Sequence, residues 1–318
     1  MTEPMRPTAP PNLPALVKAA FNKAKVNGDV SYYPTQAAVL TPGSIAFQLR
    51  YAPSLAHKPK APKPANAPSK PFNPFENPSP SMLIAPLPPS HSLVLNKFAI
   101  VPEHFILITK AFKPQTHVLE QDDVEATFAC IQAYRLAGQE LFAFFNSGPH
   151  SGASQPHRHL QLLSVEKMRE GLEDVDCGSQ WNVLVDTLNG SSKPLPFKVL
   201  TANISSDMSA EERHSAYLEL YRQAVKAVFP DREVDVEDEG EAQISYNFAM
   251  TSSTMALCPR TAEGTMLKSK SSEDIGQVSL NGTVLAGTAL VKNQSEWDAL
   301  REDPDKLLEV LKGIGLPP

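Results

Sequence analysis

Cysteine is scarce. Cys130, Cys177 and Cys258 are the only three in 318 residues, they lie far apart, and no Cys-x-x-Cys occurs. That excludes a disulfide framework and a thiolate zinc site, and a reducing compartment fits best. Basic charge is not in excess either: 29 Lys and Arg against 35 Asp and Glu leave a formal net charge of -6. A surface built to neutralise many nucleic-acid phosphates is therefore excluded, and any basic site must be local. No stretch approaches the roughly 20 apolar residues of a membrane span. The opening Met1-Thr2-Glu3-Pro4 lacks a basic region followed by an apolar one. A soluble cytoplasmic protein is expected, with nuclear residence left open and with neither nucleic acid nor membrane as partner.

What is present suits an ordinary globular fold, since 42% hydrophobic residues in a chain of this length supply a packed core. Proline is abundant: of 30 residues, 12 fall between Pro53 and Pro89. Each proline removes a backbone donor, so this density predicts a flexible insertion at about 56–90 within a single domain spanning 1–318. Asn73-Pro74-Phe75 is placed to pin its far end. Leu93-Val94-Leu95 with Phe98-Ala99-Ile100-Val101, then Phe105 to Thr109, read as paired strands around a polar turn. A helix opening at Asp122-Asp123 closes at Gly138, and Leu141 to Phe145 follows as a buried strand. Ser209 with Glu212 forms a capping box for a helix through about Val228. Tyr246 to Ala256 reads as one strand, Ser279 to Val291 as a hairpin turning at Asn281-Gly282, and the tail from Ser295 as helical. The hairpins predict an α+β fold, a largely antiparallel sheet with packed helices.

The segment His157 to Val165 is the most informative. Extended, it places His157, His159 and Gln161 on one face and Arg158, Leu160 and Leu162 on the other. The preceding Asn146-Ser147-Gly148-Pro149 and Ser151-Gly152-Ala153-Ser154 are small, flexible residues whose amides suit an anionic phosphate. Neutral imidazole attacks phosphorus well near neutral pH. A carbonyl from the 146–148 loop is one candidate to fix its tautomer, and His157 or Ser154 to stabilise the leaving phosphate. Taken alone, a His-x-His strand fits a zinc pair or a plain polar face as readily as a nucleophile. Zinc needs a third ligand; His150 is a candidate, whereas Gln161 is a poor one.

The string from Asn146-Ser147-Gly148-Pro149 to Ser154-x-x-His157-x-His159-x-Gln161 resembles the fungal diadenosine tetraphosphate phosphorylases, also called ATP adenylyltransferases, of the histidine-triad superfamily. Leu95-Asn96-Lys97-Phe98 with Val101 to Leu107, Pro53-Ser54-Leu55 to Lys58-Pro59, Tyr246-Asn247-Phe248 with Cys258-Pro259-Arg260, and Asn281-Gly282 to Lys292 resemble further signatures of that family. The resemblance implies a histidine-triad/galactose-1-phosphate uridylyltransferase-like fold. It also implies phosphorolysis of diadenosine tetraphosphate to ATP and ADP through an adenylyl-histidine, with some transfer to other phosphate acceptors. By the same resemblance His159 is the nucleophile, His157 its companion, Gln161 stands for the third histidine of hydrolytic relatives, and Ser154 joins the catalytic set. Nucleotide contacts are implied for Lys58, Asn96, Lys97, Asn146, Ser147, Gly148, Ser151, Gly152, Ala153, Gln155, Gly282, Thr283, Thr288 and Lys292. The expected partners are small nucleotides and phosphate, with magnesium or manganese accompanying the polyphosphate and no tightly bound cofactor or protein-held metal. The chain departs from the family at Ser252-Ser253-Thr254, where a bulky aromatic is usual, at Thr288, where methionine is common, and at Pro156. Two other functions fit the same residues: hydrolysis of the dinucleotide, and nucleotide binding without catalysis.

Overall fold

A computed structural model describes residues 6–57, 73–172, 181–188, 195–232 and 237–318. The chain opens with α1 (Leu13–Asn27), β1 (Ser31–Tyr32), β2 (Gln36–Leu40) and β3 (Phe47–Tyr51). It continues through β4 (Leu83–Leu87), β5 (His91–Leu95), β6 (Phe98–Ala99) and β7 (Phe105–Thr109). After α2 (Gln121–Leu136) come β8 (Leu141–Ser147), β9 (His159–Ser164), α3 (Val165–Arg169), α4 (Leu184–Thr187), β10 (Leu200–Asn203) and α5 (Ala210–Val228). The last part holds β11 (Tyr246–Met250), β12 (Thr254–Pro259), β13 (Gly264–Lys268), β14 (Asp274–Ser279), β15 (Thr288–Val291), α6 (Gln294–Glu302) and α7 (Lys306–Gly313).

Eight strands form one sheet in the order β10-β12-β11-β8-β9-β7-β5-β4, every neighbouring pair antiparallel. This is the expected α+β architecture. The side chains of each strand alternate between faces, so each face gathers its own apolar layer. On one face Leu93, Leu107, Phe145, Leu160, Leu162 and Phe248 pack against α1, α2 and α5. On the other, Phe142, Phe144, Leu163 and Ala249 meet Phe47 and Leu49 of β3 together with α6 and α7. Helix α5 illustrates the cause: Ser209 and Glu212 cap it reciprocally, at 3.1 and 2.6 Å, and Tyr217, Leu218, Tyr221, Ala224 and Val225 line its buried stripe. Each large side chain in that stripe contributes about 1.5–3 kcal/mol by leaving water.

Three segments fold otherwise than their patterns suggest. Residues 83–87, inside the stretch expected to be flexible, form the edge strand β4, which tolerates Pro86 because an edge strand has one side without ladder bonds. Tyr246 to Ala256 is not one strand; it turns at Thr251, whose hydroxyl accepts the amides of Ser253 and Thr254, so Ser252 and Ser253 sit in a β11–β12 hairpin. Ser279 to Val291 is not a hairpin. Asn281 caps a 3-10 turn over 282–286 by accepting the Thr283 amide at 3.0 Å, and β15 then pairs parallel to β3. Among the described helices none is long and apolar enough to cross a membrane.

Candidate active site

Strand β9 opens at His159, two residues later than the alternating pattern predicts, and His157 makes only an isolated bridge to Pro114. From His159 onward the period of two holds. Gln161 lies between Ile106 of β7 and Phe144 of β8, and His159 pairs with Ile108. Asn146, two residues beyond Phe144, shares that face, as does Asn247, which pairs with it from β11. Strands β8, β9 and β11 therefore present Asn146, His159, Gln161 and Asn247 side by side.

The β8–β9 ladder stops at Phe144 and Gln161. Beyond it the side chain of Gln115 takes the place of ladder bonds: Oε1 accepts the His159 amide at 2.8 Å, while Nε2 donates to the carbonyls of Asn146 at 2.9 Å and His159 at 3.1 Å. A primary amide spans a wider gap than a direct backbone pair, so Gln115 holds the strands apart at the histidine. Nothing in the sequence signals this residue, a single glutamine in a loop 44 positions away.

His159 Nδ1 donates to the His157 carbonyl at 2.8 Å, which in the neutral ring leaves Nε2 unprotonated, with no hydrogen bond to it among the described residues. Burial pushes its pKa down to about 4, against the opposing pull of the His157 carbonyl bond. The tautomer is thus fixed by His157, not by the 146–148 loop, whose Asn146 carbonyl is occupied by Gln115. The ring of His157 is also spoken for: Nε2 donates to the Thr109 carbonyl at 2.8 Å and Nδ1 accepts from Asn73 Nδ2 at 2.9 Å. With both nitrogens bonded, that ring is available neither to a metal nor as a donor to phosphate; it contributes its backbone carbonyl. Phe75 closes over both imidazoles, its ring centroid 5.1 Å from His159 and 5.9 Å from His157, so Asn73 and Phe75 seat together on the histidine strand. The exposed Phe112 ring also lies near His157, 5.3 Å between centroids.

A second imidazole supports Gln161. Asn96 Oδ1 accepts the Phe98 amide at 3.0 Å, which turns its Nδ2 toward Nδ1 of His104 at 3.1 Å, and His104 in turn hydrogen-bonds Gln161. Burial lowers the His104 pKa to about 4, with the Gln161 bond opposing. Behind the histidine strand, on the helix side, Arg158 bonds Asp123 at 2.7 Å and Glu120 at 2.9 Å, and His91 bonds Asp123 at 2.8 Å. Burial alone raises the Asp123 carboxyl, but the His91 and Arg158 partners outweigh it and hold the pKa below the usual range.

The loop between β8 and β9 is held by glycines. Gly148, at φ +85°, packs where a Cβ would lie 2.4 Å from Ser245 Oγ, and Gly152, at φ +81°, where it would lie 2.8 Å from Asn281. Ser151 bonds the Gly148 carbonyl at 2.7 Å, whereas Ala153 and Ser154 are exposed and Gln155 is half-buried. Gly282 donates its amide to Asn146 Oδ1 at 2.9 Å, and Thr283 bonds Asn281 Oδ1 at 2.8 Å. Other expected contacts are not assembled here. The Ser147 side chain points to the opposite face from Asn146 and is fully buried, with Oγ unbonded. Thr288 turns to Gln48 at 3.4 Å, and Lys97 and Lys292 are exposed with no hydrogen bond to the histidine strand among the described residues. Lys58 and Cys177 lie outside the described residues. Among the described residues no group of three or more His, Cys, Asp or Glu is arranged to hold a metal ion.

A neutral imidazole with a fixed lone pair, flanked by amide donors and glycine-lined backbone, is equipped to attack an electrophilic phosphorus. The comparisons with known proteins agree with that class. The Ap4A phosphorylase N-terminal domain matches residues 3–175 and the ATP adenylyltransferase C-terminal domain matches residues 193–317. The chain belongs to the Ap4A phosphorylase family. It is 29% identical over 322 residues to diadenosine tetraphosphate phosphorylase 2 of Saccharomyces cerevisiae, covering 96% of this chain and 95% of that protein. The crystal structure of yeast Ap4A phosphorylase Apa2 with AMP is similar at TM-score 0.72 and 25% identity, over 96% of this chain and 97% of that one. The structure of Apa2 with Ap4A matches at TM-score 0.73 and 23% identity, over 96% and 98%.

Proposed function

We propose that this chain phosphorolyses diadenosine tetraphosphate to ATP and ADP by way of an adenylyl group on His159. The observation that carries the reading is the locked tautomer: Nδ1–H on the His157 carbonyl and Nε2 free on the face shared with Gln161 and Asn146. Nε2 attacks the phosphorus next to one adenosine, the N–P bond forms, and the P–O bond to the remaining nucleotide breaks, releasing ATP. An oxygen of inorganic phosphate then attacks the same phosphorus; the N–P bond breaks, ADP leaves and the imidazole returns neutral. Dividing one transfer between two anions into two steps is what a nitrogen nucleophile contributes.

In this reading Gln161 and Asn146 donate to the phosphoryl oxygens, and His157 positions the nucleophile through its carbonyl. Ser154, exposed on the glycine loop, donates to the departing phosphate. Gly148, Gly152, Ala153 and Gln155 line the polyphosphate, while Ser151, Gly282 and Thr283 hold that lining in place through their bonds to Gly148, Asn146 and Asn281. Magnesium or manganese accompanies the nucleotide as a ligand of its phosphates. The buried free thiols of Cys130 and Cys258 support a reducing compartment, and we place the protein in the cytoplasm. Incubation of the purified chain with diadenosine tetraphosphate, with and without inorganic phosphate, tests the reaction. ADP and ATP formed only when phosphate is present is the expected result; AMP and ATP formed without it shows hydrolysis instead.

A further inference from the structure

Arg260 is 4% exposed; the Glu263 carboxylate lies within electrostatic reach, but the oxygens its guanidinium hydrogen-bonds are carbonyl and amide oxygens that carry no charge. Nε donates to the Ile314 carbonyl at 3.1 Å, and Nη2 to the carbonyls of Ala262 and Glu263, both at 3.0 Å, and of Leu280 at 2.9 Å. Nη1 donates to Asn247 Oδ1. A guanidinium has donors only, so this last bond decides which way the Asn247 amide faces. Its Nδ2 points away from Arg260, to Asn146 Oδ1 at 2.8 Å and the Ser151 carbonyl at 2.9 Å. Asn146 Oδ1 also accepts the Gly282 amide. Two donors on that oxygen fix the second amide as well. The group left over is Asn146 Nδ2, an NH2 on the sheet face beside His159.

Stapling loops together needs carbonyl bonds, which Arg260 makes, but it does not need the buried cation to end in a chain of two oriented amides. In a chain of hydrogen bonds each bond polarises the next, the more so when it starts at a charge in a low-dielectric interior. We propose that Arg260 and Asn247 are positioning residues that turn Asn146 Nδ2 into a fixed, polarised donor for the anionic oxygens of the phosphoryl group transferred at His159. The device selects for an anion at that point. It rests on the adenylyl-transfer reading for the identity of that group.

Asn247→Asp tests the relay. The carboxylate keeps the shape and the bond to Arg260, cannot donate to Asn146 or Ser151, and cancels the buried charge. AMP affinity by calorimetry and single-turnover formation of the adenylyl-enzyme are compared with wild type, with a thermal melt reporting the fold. Removal of one oriented donor from an anion-stabilising site costs about 10²–10³ in rate, and losing its orientation is expected to cost about 10–10² in adenylylation with about tenfold in AMP affinity. If the aspartate variant does not fold, Asn247→Ser, which breaks the relay without adding charge, is measured the same way with the same expectation. A folded variant within twofold of wild type in both AMP affinity and adenylylation rate overturns the proposal. A wild-type chain that binds AMP but converts no dinucleotide defeats only the reaction assigned above, and the relay is then judged on AMP affinity. A wild-type chain binding neither AMP nor inorganic phosphate contradicts both.

Discussion

Lowering the pH separates this site from an ordinary histidine pair. Burial brings both His159 and His104 from 6.5 to about 4. At about 1.4 kcal/mol for each tenfold change, that displacement costs each protonated imidazole about 3 kcal/mol. The unfolded chain takes up these protons near its ordinary pKa, and the native chain only near the depressed one. Between the two the unfolded state binds more protons, so stability falls as pH falls, by up to about 6 kcal/mol for the pair, before carboxylates contribute. For the chemistry the same shift is protective, because His159 stays neutral and nucleophilic well below its usual range. The internal phosphates of a dinucleoside polyphosphate have no second ionisation near neutrality, so an inflection there belongs to the protein. Single-turnover formation of the adenylyl-enzyme without inorganic phosphate isolates the first step, and its rate is expected to stay flat from about pH 8 to about pH 5. An acid limb centred near 6.5 would refute the buried, neutral assignment of His159.

Gln115→Ala leaves the His159 amide and two carbonyls without their partner; at about 1–3 kcal/mol for a buried unsatisfied group, with partial relief from water, denaturant unfolding should show a loss of about 2–5 kcal/mol. The adenylylation rate should fall by tenfold or more as His159 loses its placement. Gln115→Glu keeps the acceptor but sets a buried carboxylate oxygen against the Asn146 and His159 carbonyls, and should be at least as destabilised as the alanine variant. Asp123→Asn strips Arg158 and His91 of their shared carboxylate behind the strand, and urea unfolding should register a loss of about 3–5 kcal/mol. A loss below about 1 kcal/mol would mean that Glu120 alone satisfies the guanidinium.

The parts legible from sequence are those governed by local rules. The Ser209–Glu212 box, the alternation that puts His159 and Gln161 on the face opposite Leu160 and Leu162, and the glycines of the 148–152 loop each follow from a few neighbouring residues. What escaped depends on contacts over long separations. Gln115, the seat of Asn73 and Phe75 against the histidines, and Arg260 acting through Asn247 join segments that no local pattern relates. The Asn281-Gly282 pair failed differently: the same two residues serve a hairpin turn or a helical cap, and the parallel pairing of β15 with β3 chose the cap. Ser147 shows the cost of ending a strand two residues too early, since β8 runs through it and period two sends its side chain to the other face. His157 shows a limit of motif reading, because the pattern marks the residue but not that its carbonyl is the atom bonded to the His159 ring.

Mass analysis of the protein after brief exposure to diadenosine tetraphosphate without phosphate is the most direct test of the central claim. One adenylyl group on the peptide carrying His159, acid-labile, absent in His159→Asn and discharged as ADP when phosphate is added, is the predicted result. Turnover to ADP and ATP persisting in a folded His159→Asn protein, or an adduct located on another residue, would contradict it.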